Sequence, residues 1–266
     1  MSSFWSRIAV ALVGLPLVLG MVWLGGWWLF GLVTAAGVLA LHEFWQMTRS
    51  LRPLALAGYA GAALALVGAE LGGQQWMIGG FVATLLFALL LNGVSETRAP
   101  ATVAIGSTVL GAAWIGLGLS YALLLRGSAD QARLATFTVL LTVFVADTVA
   151  YFGGRTFGRH KLAPALSPGK TWEGFVLGTA AAVLVAFFAL YQDRDTFLTI
   201  GEALALGAVV ALAAAAGDLF ESALKRDMQI KDTGRLLAGH GGMLDRIDSV
   251  LFALPAGYYV ILAFTT

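Results

Sequence analysis

Of 266 residues, 59% are hydrophobic and only 12% are charged, about half the roughly 25% charge of an ordinary soluble domain. That balance argues against a water-soluble enzyme and for a chain that crosses a membrane several times. Zero cysteines exclude disulfides and thiolate metal sites. A formal net charge of +1 singles out no partner, and no nucleic acid is expected.

The uncharged runs Ile8–Leu41, Leu71–Ser95, Ala99–Leu125 and Gly174–Gln192 each reach the roughly 18–20 residues that cross a bilayer. In chain order the pattern predicts nine spans, near 8–24, 27–47, 53–70, 75–93, 102–125, 135–153, 172–191, 200–219 and 249–264. The fold class expected is an all-α polytopic bundle with two cytoplasmic loops that form a polar site. Three regions follow: N-terminal spans over 1–95, middle spans with a basic loop over 96–171, and a catalytic region over 172–266. The first apolar run passes into a second, unlike a cleaved signal segment, so it is expected to be retained. Gly25-Gly26 suits a tight turn between the first two spans, and Trp23, Trp27 and Trp28 suit an interfacial belt.

Nine spans put thirteen of the 16 basic residues on the side of the N-terminus and three (Arg126, Arg133, Arg194) on the other. By the positive-inside bias the N-terminus is cytoplasmic. Gly and Ala abound in the spans, where small side chains let helices approach closely. His42-Glu43 at the end of span two reads as structural, and Glu70, Glu202 and Asp193-Arg194-Asp195 read as solvated caps.

Span six carries Asp147, with Tyr151 one turn on. An acid inside a membrane is costly and marks a functional site by default, although an ion pair with Arg155 would also account for it. In the following loop, Gly169-Lys170-Thr171 resembles the end of a phosphate loop. That motif needs a glycine where Pro164 stands, and a preceding strand, so it is rejected. Ser167 is read instead as the N-cap and Pro168 as the first residue of a helix. Lys170 and Thr171 would then lie beside free N–H groups that bind phosphate.

Between Gly217 and Ser249 the chain gathers eleven charged residues and His240. Continued as helix, Asp218, Glu221, Ser222 and Lys225 share one face. Asp245 and Asp248 are spaced likewise at the start of the last span. Carboxylates entering the membrane from one side can converge on a divalent cation, and oxygen-only ligands favour magnesium over zinc; a second cation is compatible with this reading. Helix capping would explain Asp245 or Asp248 equally. It explains Asp218, at a C-terminal helix end, poorly. Gly239-His240-Gly241-Gly242 could let backbone N–H groups approach an anion, among Lys225, Arg226, Lys231, Arg235 and Arg246.

SALKRDMQIKDTGRLLAGHGGMLDRID and the upstream ADTVAYFGGRTFGRHKLAPALSPGKTWEG resemble the signature of phosphatidate cytidylyltransferases over about residues 145–266. Ala238 departs from it, where many members carry Pro. The resemblance implies an integral protein of a bacterial-type inner membrane. It would convert CTP and phosphatidic acid to CDP-diacylglycerol and pyrophosphate at the cytoplasmic face with Mg2+. A homodimer in the lipid bilayer is compatible with it. It places the metal on Asp218 and Asp245 with Asp248 in support. Lys225, Arg226, Lys231 and Arg246 are expected on phosphates, His240 on a phosphate oxygen and Asp232 orienting a lysine. Asp147, Ser167, Lys170, Thr171, Ser222, Gly241 and Gly242 are the substrate-binding candidates. Two alternatives stand beside it, a CTP-dependent kinase of a lipid alcohol and a transporter. The kinase needs a base for a neutral hydroxyl, and transport sites usually lie nearer the midplane.

Overall fold

The computed structural model describes residues 14, 16–94, 100–127, 131–234 and 241–265. The protein is an all-α polytopic membrane protein, and among the described residues seven helices are long and apolar enough to cross a bilayer. Of the first expected span, 8–24, residues 8–13 and 15 lie outside the described residues, and 14 and 16–24 are helical. By contact the chain divides into two units, Met1–Gly127 with Met228–Ile247, and Ser128–Asp227 with Asp248–Thr266.

The first unit contains α1 (Gly26–Met47), α2 (Ala55–Val94) and α3 (Ala101–Gly127). Gly25 and Gly26 both take positive φ, which a side chain would resist. Arg126 closes the preceding helical segment by donating from Nε to the Val22 carbonyl at 3.0 Å and from Nη2 to that of Trp23 at 3.1 Å. α2 breaks at Gly73 (φ 68°, ψ −157°), between the spans expected at 53–70 and 75–93. Its halves fold back on one another. A Cβ on Gly68 would strike the Trp76 backbone, and one on Gly80 the Leu64 backbone, so the hairpin depends on their bareness. α3 widens to a π-helical stretch over Ala112–Leu117. Phe44 is fully buried and meets Trp45 and Trp114 edge to face at 5.1 and 6.1 Å between centroids.

The second unit contains α4 (Ala132–Phe157), β1 (Lys161–Ala163), β2 (Ser167–Thr171), α5 (Trp172–Leu190), α6 (Ile200–Asp227) and most of α7 (Leu244–Thr265). Ala146, Ala182 and Ala211 make a buried seam. A Cβ on Gly178 would meet the Ala146 carbonyl oxygen and one on Gly207 the Val183 Cα, both at 2.7 Å. Dispersion between closely approached backbones replaces the hydrophobic effect as the cohesive force within lipid.

At Ser167 the structure departs from the expected helix start. Ser167 does not cap a helix: Ser167–Thr171 is a strand, antiparallel to β1, with Lys161 opposite Thr171 and Ala163 opposite Ser167. Pro168 has no N–H to donate and is tolerated on such a two-stranded edge. The helix begins four residues later, where the Thr171 hydroxyl accepts from the Gly174 N–H at 3.2 Å as an N-cap does.

Candidate active site

The polar residues singled out in the sequence fall in both units, and each set is built within its own. In the second unit α6 runs on to Asp227, a further two turns past the expected end at 219. Its last turns therefore carry Asp218, Glu221, Ser222 and Lys225 on one face as helical spacing requires. The Lys225 ammonium pairs with Glu221 Oε2 at 2.7 Å, and the Ser222 hydroxyl lies 3.5 Å from Asp218 Oδ1.

The hairpin brings a second cation to α6. Lys170 of β2 pairs with Asp218 Oδ2 at 2.7 Å, the two side chains being 23% and 34% exposed. The Arg226 Nε donates to the Leu166 carbonyl at 3.2 Å and so ties the hairpin turn to the same helix. Glu173, at the start of α5, fixes the hairpin's other end. It accepts from the backbone N–H groups of Arg159 (3.0 Å) and His160 (3.2 Å) and meets His160 Nδ1 at 2.6 Å.

α7 supplies Asp248 and Ser249. The Asp248 carboxyl is almost buried and meets that of Glu221. The Ser249 hydroxyl donates to Asp147 of α4. Asp147 lies close enough to Asp218 to feel its charge, and Asp248 close enough to feel both. Gly217 allows this: a Cβ there would meet the Asp248 carbonyl oxygen at 2.5 Å. Asp147 is thus engaged by Ser249 of α7. Arg155, the alternative partner, has its Nη1 3.2 Å from the Tyr151 hydroxyl.

In the first unit, the signature segment leaves along Met228–Gly234 and returns at Gly241. Lys231 and Asp232 are exposed and Thr233 is buried. Asp245 Oδ2 accepts from the Gly242 N–H at 2.8 Å and from the Thr233 N–H at 3.2 Å. Gly241 takes φ +82°, and a Cβ there would press on Asp245. Arg246 is exposed, and its N–H bonds to the Met243 carbonyl. His240 and Arg235 lie outside the described residues.

Three contributors escaped the sequence reading. Glu221 was placed on the right face without a role, and nothing in spacing could reveal Ser249. Glu43 of α1, read as structural, is 1% exposed and accepts backbone N–H bonds from Met243 at 2.9 Å and Leu244 at 2.8 Å. Its one sequence signal was an acid in a span otherwise free of charge.

The donor chemistry of the second unit fits magnesium. Every candidate ligand is a carboxylate oxygen, the donor a hard dication prefers, and four carboxyl groups (Asp147, Asp218, Glu221, Asp248) stand with two ammonium groups (Lys170, Lys225). Among the described residues no three such side chains converge as a ready cage. Magnesium usually keeps several waters and takes one or two carboxylates, so a cage is not required.

Compared with known proteins, residues 5–264 match the family model described as the cytidylyltransferase family. The chain is 31% identical over 253 residues to a phosphatidate cytidylyltransferase of Staphylococcus haemolyticus, covering 94% of this chain and 95% of that one. It is 32% identical over 268 residues to that of Mycobacterium bovis, covering 94% and 85%. A Haemophilus influenzae protein of the same name is 42% identical over 120 residues, which is 44% of this chain and 42% of the relative.

Proposed function

The chain belongs to the cytidylyltransferase family, and from that premise we propose that it transfers the cytidylyl group of CTP to phosphatidic acid, giving CDP-diacylglycerol and pyrophosphate. One observation carries the reading: 31% identity over nearly the whole of both chains to a protein named for that reaction. The polar network of α4, β2, α6 and α7 supports it.

A phosphate oxygen of phosphatidate forms a bond to the α-phosphorus of CTP while the bond to the β-phosphate bridge breaks. Phosphate monoesters lose their second proton near pH about 6, so at neutral pH the nucleophile is ionised and needs no strong base. The obstacle is repulsion between two polyanions. Lys170, Lys225 and Arg226 are assigned to phosphate oxygens in the second unit, and Lys231 and Arg246 in the first. Asp232 orients a lysine and His240 donates to a phosphate oxygen. Ser222 and Thr171 offer hydroxyls to the same groups, and Gly241 offers its backbone.

Asp218 and Asp248 would hold magnesium, with Asp147 beside them. When bound, the ion supplies charge neutralisation for the pyrophosphate as it leaves. Lys170 pairs with Asp218 Oδ2 at 2.7 Å, which holds its ammonium beside the groups assigned to phosphate. Asp245, whose oxygens already receive two backbone N–H groups, is assigned to shaping the segment that carries Lys231 and Arg246. The site faces the cytoplasm of a bacterial inner membrane, the compartment that holds CTP.

The test is label transfer by the purified protein in mixed micelles of detergent and phosphatidate. Label from α-phosphate-labelled CTP is expected in the lipid. Label from the γ-phosphate in the lipid would mean a kinase, and neither label would refute transfer altogether. EDTA should stop the reaction and excess magnesium restore it.

A further inference from the structure

The mechanism makes no use of Glu43, although its buried carboxylate accepts from the backbone of a distant segment. A carboxylate buried to 1% exposure costs several kcal/mol unless its oxygens are satisfied. Here both are: Oε1 accepts from the Met243 N–H at 2.9 Å and Oε2 from the Leu244 N–H at 2.8 Å, with the Thr233 hydroxyl 3.4 Å from Oε2. Met243 immediately precedes α7 and Leu244 begins it, and the free N–H groups and dipole of a helix start favour a negative charge. An ordinary cap comes from the residue beside the helix. This one comes from α1, some 200 residues earlier.

The fit is close enough to dictate neighbouring residues. A Cβ on Gly234 would collide with Glu43 Oε1, and one on Gly242 with Glu43 Oε2 and the Thr233 hydroxyl. Asp245 repeats the pattern from within the segment by accepting from both Thr233 and Gly242. Two carboxylates therefore hold the outgoing arm at Thr233 and the returning arm at Gly242–Leu244 side by side. Lys231 stands two residues before the first attachment and Arg246 two residues after the last.

We propose that Glu43 is a positioning residue for the transfer reaction, its carboxylate setting the separation of the two arms and thereby the placement of Lys231 and Arg246. This rests on the cytidylyl-transfer reading. Groups that stabilise a transition state lose most of their effect when displaced by an ångström. The effect of loosening the arms should therefore fall on kcat more than on the binding of either substrate.

Glu43→Gln keeps the shape but turns one acceptor into a donor facing an N–H. Its kcat is expected to fall by about 100-fold with KM for CTP changed by less than about threefold. Amide hydrogen exchange in a peptide covering Gly242–Ile247 is expected to speed up by about tenfold, while peptides from α4 to α6 stay unchanged. Glu43→Asp, which retains both acceptors, should recover part of kcat. Should Glu43→Gln fail to fold, Gly234→Ala decides: it leaves the charge in place, pushes on Oε1 and is expected to reproduce both changes.

A kcat within about threefold of wild type in a folded variant, or unchanged exchange at Gly242–Ile247, overturns the proposal. If the wild-type protein transfers no cytidylyl group, the functional reading itself fails. Exchange needs no turnover, so it would still report whether Glu43 holds the arms.

Discussion

Asp218 lies more than two turns inside the C-terminal end of α6, beyond the reach of the terminal dipole, and keeps Lys170 on one oxygen and Ser222 near the other. A partly exposed pair of this kind adds at most about 1 kcal/mol to stability, so its presence is better explained by chemistry than by folding. Asp218→Asn should leave the detergent-purified protein monodisperse and its melting temperature little changed. Magnesium-dependent label transfer should drop by at least about 100-fold. Normal turnover in that variant would remove Asp218 from the reaction. Lys170→Ala separates the lysine's two roles. If it serves phosphate, KM for CTP should rise by about tenfold, the worth of one charge-assisted hydrogen bond, while KM for phosphatidate moves less. A larger rise for the lipid would assign Lys170 to phosphatidate instead.

At the scale of elements, the cohesion lies in bare backbone rather than in large side chains. Gly207 lets α6 approach α5 until its missing Cβ would touch Val183 Cα. Gly207→Leu should therefore force the pair apart and cost about 1–3 kcal/mol, read as a fall in melting temperature in detergent. Thr171→Val, which removes the N-cap of α5, should cost about 1 kcal/mol. The helices were legible because long uncharged runs leave no alternative in lipid, where backbone polar groups must pair within the segment. The face carrying Asp218, Glu221, Ser222 and Lys225 was legible for the same reason, since 3.6-residue periodicity fixes it. The β1–β2 hairpin was not. Ser167-Pro168 carries a legitimate helix-start pattern, and only pairing with Lys161–Ala163 decides for strand. Ser249 beside Asp147 and Glu43 beside Leu244 were equally hidden, because periodicity says nothing about which helices become neighbours.

For the whole molecule, the decisive quantity is the side on which the polar residues emerge. CTP is a polyanion that does not cross a bilayer, so a site drawing on it must face the compartment that contains it. On the nine-span reading the distribution of basic residues, thirteen against three, predicts the β1–β2 hairpin on that side and the 191–199 connection on the other. α5 lies between them with 19 residues, which at about 1.5 Å per residue spans close to the ~30 Å hydrocarbon core. The natural absence of cysteine makes the arrangement directly measurable. A single cysteine in place of exposed Arg159, beside the hairpin, should react with a membrane-impermeant maleimide only after the inner membrane of spheroplasts is permeabilised. One in place of Asp195, whose side chain is 81% exposed, should react in intact spheroplasts. The opposite pattern would put Lys170 and its partners on the side without nucleotide, and labelling of both from outside would mean that α5 does not cross. Either result would defeat cytidylyl transfer from cytoplasmic CTP at this site, however well the carboxylates and lysines are arranged.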